Sequence, residues 1–350
     1  MTSQLAPSEA MRHRPLVSII VVSYNNREFI RRCLSCALNQ DYDSIEAIVV
    51  DQNSADGTSE IIRAEFPRVT LIQNEINTGF ADGMNRGIEA SKGEYVLLLN
   101  SDLFLDCTFV SQALREFVMS SEERLGMCAG IVYRDRGGPS EEIDCLGTLL
   151  LPYHAVVSSE NRDVRKWVLG PAGSSMFFRR VMLDDIRLPN GDYLDSTFFC
   201  YGEDIEVTLR AQLLGWRCLY APIVVGWHIG SASVGRLHGF TEKPTALLRH
   251  AAKNRYLTVL TCYPIPLLLR TFPWNLLGEV GQIAVFTVTG RWALLRALFG
   301  AYWTVLSMVP YVLAKRRWLQ RGRRVSCAYL RSLYVPWGPI RVFRSLLQKV

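Results

Sequence analysis

The sequence predicts an α/β fold, a doubly wound and mostly parallel sheet, followed by a helical carboxyl-terminal region suited to a membrane surface. Short β-branched runs alternate with helical stretches over residues 17–119, polar residues close each run, and the charge reverses along the chain. Residues 242–350 hold 17 Lys+Arg and 2 Asp+Glu, against 22 and 31 in residues 1–241. The expected organisation is a disordered tail at 1–15, an α/β domain at 16–241 and a basic, apolar helical region at 242–350.

Val17–Ser23 is an unbroken apolar run of strand length, as expected for a parallel strand buried on both faces, and Tyr24-Asn25-Asn26 ends it. An amphipathic helix follows over 27–39, then a strand at 45–50 closed by Asp51, a helix at 58–66 and a strand at 69–73. A helix over 79–90 leads to the strand 94–99, which runs into Asn100-Ser101-Asp102, and 107–119 is helical again. Ligands of open α/β sheets sit outside the carboxyl ends of the strands, where Tyr24-Asn25, Asp51 and Asp102 collect. Residues 125–170 predict irregular antiparallel additions.

Nine cysteines include one C-x-x-C, Cys33 and Cys36, with no second pair to complete a zinc site, so they are expected to be reduced packing residues. In the basic region, charges interleave with apolar runs such as 256–269 and 297–314, which favours an anionic membrane surface over nucleic acid as partner. The uncharged 18-residue run 297–314 contains Pro310, so interfacial helices are expected rather than a span. Trp274, Trp292, Trp303 and Trp318 would then lie at headgroup depth, with Lys315, Arg316, Arg317, Arg321, Arg323 and Arg324 facing lipid on the cytoplasmic side.

Three groups carry candidate chemistry. Asp51 can accept hydrogen bonds from a base or ribose, although an Asp before a helix is also an ordinary turn device. Asp102 and His228 together suit a hard divalent cation, Mg²⁺ or Mn²⁺, bridging two phosphates. Glu203-Asp204 opens a helix, and Asp204 can act as the base that deprotonates an acceptor hydroxyl; an acidic first turn favoured by the helix dipole is the simpler alternative.

In order and spacing, VSIIVVSYNN, VVDQNSADGT, NTGFADGMNRGI, GEYVLLLNSDLF, GPAGSSMFFRR, FFCYGEDIEVTLR and the stretch at 225–233 resemble the family 2 glycosyltransferases, and more narrowly their rhamnosyltransferase-like branch. The resemblance covers residues 16–260 and implies a GT-A fold, an inverting displacement and a nucleotide-diphosphate sugar donor with a divalent metal. It implies that Tyr24, Asn25 and Asp51 contact the nucleotide, and that Asn77, Gly79 and Asn85 lie beside the donor. It also makes Asp102 and His228 metal ligands, Asp204 the base and Glu203 its neighbour near the acceptor. Asn100 stands where the acidic metal motif often has its first Asp. The expected activity is transfer of a sugar, rhamnose in the leading form, to a lipid-linked or polysaccharide acceptor during cell-surface glycan synthesis. A nucleotidyltransferase and a non-catalytic sugar-nucleotide-binding scaffold are the alternatives.

Overall fold

The computed structural model describes residues 14–151, 156–230 and 245–334. In chain order the elements are β1 (Val17–Ser23), α1 (Ile30–Leu38), β2 (Ile45–Asp51), α2 (Thr58–Glu65), β3 (Thr70–Gln73), α3 (Phe80–Ala90), β4 (Tyr95–Asn100), β5 (Leu103–Leu105) and α4 (Phe109–Met119). There follow β6 (Leu125–Asp135), β7 (Pro139–Cys145), β8 (Thr148–Leu150), β9 (Val156–Ser158), β10 (Lys166–Val168), β11 (Ser175–Arg179), α5 (Arg180–Asp185), α6 (Glu203–Leu213) and β12 (Arg217–His228). The carboxyl part adds α7 (Thr245–Cys262), α8 (Ile265–Val288), α9 (Trp292–Ser307), α10 (Val309–Arg321) and α11 (Cys327–Ser332).

Every residue of β1 is buried, because helices cover both faces of the sheet. Ile20 and Val22 face a core shared with α3 and α6, while Val17, Ile19 and Val21 face one shared with α1, α2 and α4. The strand order is β10-β12-β6-β11-β4-β1-β2-β3, with β5 added to β12 and β7 to β6. β1 pairs in parallel with β2 and β4, and β2 with β3, which is the doubly wound half expected from the sequence. β11 returns antiparallel against β4 and β6. The irregular segment expected at 125–170 contains one long strand, β6, which pairs in parallel with β12. Cys33 is packed in the core, and all nine cysteines are free thiols.

Three expectations need correction. Arg14 and Pro15 are not loose tail: Arg14 pairs with Asp43 at 2.9 Å, and the Tyr42 hydroxyl donates to the Pro15 carbonyl. Residues 1–13 and the 241/242 boundary lie outside the described residues. The carboxyl region is more than an appendage, since Cys262, Tyr263, Leu267, Leu319, Leu330 and Leu333 enter the same core as Ile20 and Val207. Lys315 does not face lipid; it is buried between Asp195 and Glu206. The run 297–314 is divided between α9 and α10, which meet at a 66° bend, and no single described helix is long and apolar enough to cross a membrane.

Asn85 is also placed differently from a donor-facing residue. Its Oδ1 accepts from the amides of Tyr193 and Leu194 at 3.0 and 2.8 Å, and its Nδ2 donates to the Leu194 carbonyl at 2.7 Å. Asn85→Ala would leave buried backbone groups unpaired, so it should lower stability by about 2–4 kcal/mol in a urea titration with little change in nucleotide affinity. Lost nucleotide binding at unchanged stability would return Asn85 to the donor site.

Candidate active site

Strand register builds the rim. Ser23 lies opposite Asp51 and Val22 opposite Asn100, so β1 holds the ends of β2 and β4 on either side of its own. Neighbouring strands are about 4.8 Å apart, which puts Asp51 and the Asn100–Asp102 turn roughly 10 Å apart across β1. Asp51 is fully buried and accepts from the amide and hydroxyl of Ser54 at 2.9 and 2.6 Å. The same hydroxyl accepts from the Asn25 amide, and Asn25 Oδ1 accepts from Ala55, so the two loops are stitched together. Tyr24, 42% exposed, is the open ring on this side. Asn77 caps the Gly79 amide. Gly79 (φ +93°) allows a close approach, but to the chain's own Phe199 carbonyl: an added Cβ would lie 2.4 Å from that oxygen.

Asp102 and His228 meet because β12 pairs antiparallel with β5, with His228 opposite Leu103 and the Ile229 amide bonded to the Asp102 carbonyl. His228 Nε2 lies 3.4 Å from Asp102 Oδ1. Nδ1 lies 2.9 Å from Asp144, whose other oxygen is held by Arg134 at 3.0 Å. Burial alone would make the imidazole harder to protonate, but the two carboxylates outweigh it and raise its pKa to about 9. Asp144, which sequence reading missed, orients the ring by holding Nδ1 and leaving Nε2 toward Asp102, as outer carboxylates do for metal-ligating histidines. Among the described residues Nε2 is buried without an ordinary hydrogen bond and faces a buried carboxylate, a pairing that would fit a divalent cation taking the place of the Nε2 proton. Among the described residues no group of three or more metal-ligating side chains forms, so the protein would supply two ligands. Residues 231–233 of the sequence motif lie outside the described residues.

The acidic pair joins this cleft through the loop before β11. The Asn100 amide bonds to the Ser174 carbonyl at 2.9 Å, and neighbouring Gly173 lies so close to Asp204 that an added Cβ would sit 2.4 Å from Oδ2. Gly173 is therefore a site residue that only the fold reveals. Asp204 is the one residue of α6 that is not buried, and Glu203 beside it is 8% exposed with Oε2 unpartnered among the described residues. Burial raises the pKa of both; Glu203, which also feels the Asp204 charge, is pushed up to about 8. The Tyr201 phenol, raised to about 12 mainly by burial, also feels Glu203 and Asp102. The Cys145 thiol, raised to about 12 by burial first, feels Asp144 and Asp204. The Glu203–Asp204 pair is thus linked to the Asp102–His228 pair through Gly173, Ser174 and the Asn100 turn.

A mixed, mostly parallel sheet with acidic strand ends, a carboxylate–imidazole pair and an acidic helix start is the arrangement of a GT-A-type fold. Residues 18–186 match the profile of Glycosyl transferase family 2. It is 26% identical over 219 residues to Glycosyltransferase AglE of Haloferax volcanii, covering 61% of this chain and 67% of that one. It is 25% identical over 227 residues to Poly-beta-1,6-N-acetyl-D-glucosamine synthase of Staphylococcus epidermidis, covering 63% and 52%. A shorter match, 35% over 103 residues, is to Putative glycosyltransferase EpsH of Bacillus subtilis, covering 29% of this chain and 30% of that one. The chain thus spans from under a third to two thirds of these relatives. Among solved structures it is similar to mannosyltransferase PcManGT from Pyrobaculum calidifontis in complex with GDP-Man and Mn²⁺ (18% identity, TM-score 0.51, 92% and 86% covered). S. aureus TarS 1-349 in complex with UDP is likewise similar (17% identity, TM-score 0.54, 95% and 90% covered). These likenesses show the fold.

A carboxyl whose pKa is raised in the folded state stabilises the protein while protonated and ceases to do so as pH rises through the raised value. Glu203→Gln should therefore raise Tm at pH 9 by about 2–5 °C and leave it near wild type at pH 5. Equal shifts at both pH values would show that Glu203 is not held protonated by its surroundings.

Proposed function

We propose that the protein is an inverting glycosyltransferase that moves a sugar from a nucleoside-diphosphate donor to a lipid-linked or polysaccharide acceptor in cell-surface glycan synthesis. The observation that supports this reading is the contact of Asp204 with Gly173, whose neighbour Ser174 bonds the Asn100 turn that leads to Asp102 and its partner His228. Asp204 takes the proton from the acceptor hydroxyl as its oxygen bonds the anomeric carbon, and the bond from that carbon to the diphosphate oxygen breaks on the opposite face. Burial raises the pKa of Asp204, which makes it a stronger base than an ordinary carboxylate. Glu203 offers a second carboxyl to the acceptor. A Mg²⁺ or Mn²⁺ held by Asp102 and His228 would neutralise charge on the departing diphosphate. Tyr24 and the Asp51 turn form the nucleotide side of the cleft, and rhamnose carried on dTDP is the donor we would test first.

The same reading places the enzyme on the cytoplasmic face of the membrane. Ile265, Leu269, Phe272, Leu276 and Val280 form an exposed stripe at helical spacing along α8, and Trp292, Phe299 and Trp303 are exposed on α9. Arg270, Arg296 and Arg317 are exposed on α8, α9 and α10, and Arg291 is exposed just before α9, which suits an anionic leaflet.

Two experiments test this. With Mn²⁺ present, release of nucleoside diphosphate from a panel of UDP-, GDP- and dTDP-hexoses should fall by about 10²-fold or more in Asp204→Asn and in Asp102→Ala. Its kcat should decline on the acid side at a pH above the range of an ordinary Asp, because the base is lost as pH falls through its raised pKa. Undiminished release in Asp102→Ala would refute the metal assignment. Separately, the protein should co-sediment with phosphatidylglycerol-containing vesicles, and Phe272→Glu with Trp303→Glu should weaken that binding by about tenfold or more. Vesicle binding that ignores both substitutions would refute the membrane face.

A further inference from the structure

Glu203 and Asp204 follow a turn of unusual shape. Tyr201 and Gly202 are consecutive left-handed residues, with φ of +67° and +88°. For a tyrosine that conformation is unfavourable and persists only where surrounding structure imposes it. Helix α7 supplies that structure. Asn254, fully buried, donates from Nδ2 to the carbonyls of Cys200 and Tyr201 at 2.9 and 2.7 Å. One turn earlier His250 stacks on Phe199 with centroids 5.0 Å apart, and Lys253 donates to the Thr197 carbonyl.

Helix α10 grips the same segment at both ends. The Lys315 ammonium contacts Asp195, where the segment begins, and lies 2.8 Å from Glu206 in the first turn of α6. Tyr311 also donates to Asp195, and Arg210 pairs with Glu206 at 2.9 Å. Burial opposes ionisation of Asp195 and Glu206, but Lys315 acting on both and Arg210 acting on Glu206 outweigh it and hold both carboxyls below their ordinary range. Phe198, midway along the segment, packs with Leu257, Val305 and Val312 from α7, α9 and α10.

We propose that Asn254 and Lys315 are positioning residues for the catalytic pair: α7 and α10 hold residues 195–206 from behind and set the direction in which Asp204 enters the cleft. The inference rests on Asp204 being the base. Small misplacements of a reacting group cost rate rather than binding, and that distinction supplies the test.

Asn254→Leu keeps the side-chain volume and removes both donors. With Mn²⁺ and whichever UDP-, GDP- or dTDP-hexose the wild type turns over fastest, kcat per nucleotide-binding site should fall by about tenfold or more. KM for that donor, and Kd for its nucleoside diphosphate, should stay within about twofold. The charge-balanced double variant Lys315→Met with Glu206→Gln should behave in the same way. A contact with a merely structural role would reduce the number of binding sites and leave kcat per site at the wild-type value, and that result overturns the proposal. If either variant does not fold, Tyr311→Phe decides, with a fall of about threefold expected and a wild-type rate overturning it. Full turnover by Asp204→Asn would remove the group being positioned and overturn both readings. Wild-type kcat per site in the Asn254 and Tyr311 variants, beside an inactive Asp204→Asn, overturns this one alone.

Discussion

The antiparallel return of β11 onto β4 and of β12 onto β5 is the constraint on which the cleft depends. The first 102 residues make a parallel sheet with Asp51 and Asp102 at or just past its strand ends, but they contain neither His228 nor the acidic pair. Pairing of β12 with β5 places His228 against Asp102, and pairing of β11 with β4 places Gly173 beside the Asn100 turn, with Asp204 lying over it. Backbone hydrogen bonds fix these approaches. Side chains more than a hundred residues apart in sequence can then act on one substrate.

The carboxyl-terminal helices look in two directions. Outward they present Phe272, Trp303 and Leu313, with arginines among them. Inward, α7 and α10 pack into the core of the sheet and bond to the turn before α6. On α10 the alternation is visible within about three turns: Val309 and Leu313 are exposed, while Val312, Lys315 and Leu319 are buried. A helix of this kind joins the surface that would rest on lipid to the residues that would act on sugar, with no linker between them.

The cleft also concentrates unfavourable burial. Among the described residues Glu203 has an unpartnered oxygen and His228 Nε2 lies 3.4 Å from the Asp102 carboxylate without an ordinary hydrogen bond, while Tyr201 holds a left-handed backbone. Each costs stability, and each is offset by contacts elsewhere in the same layer, chiefly the Lys315–Asp195–Glu206–Arg210 cluster and the two Asn254 hydrogen bonds. Such features are expected where a protein maintains groups ready for proton transfer and for a multiply charged ligand.

By itself the sequence determined the parallel half of the sheet, its helices and the strand-end acids, because hydrophobic period and turn chemistry are local properties that neighbouring residues settle among themselves. It also marked Glu203-Asp204 as a helix start and Pro310 as a break. The roles of Asn85, Gly79 and Lys315 were not legible there. An Asn that clasps a distant backbone, a glycine that admits Phe199 and a lysine buried between two carboxylates have the same local signatures as a ligand contact, a phosphate turn and a lipid-facing charge. Tertiary structure alone decided these, together with the contributions of Asp144, Gly173 and Asn254. Their meaning lies in contacts made across large sequence separations, and those exist only once the sheet has closed and the carboxyl helices have packed against it.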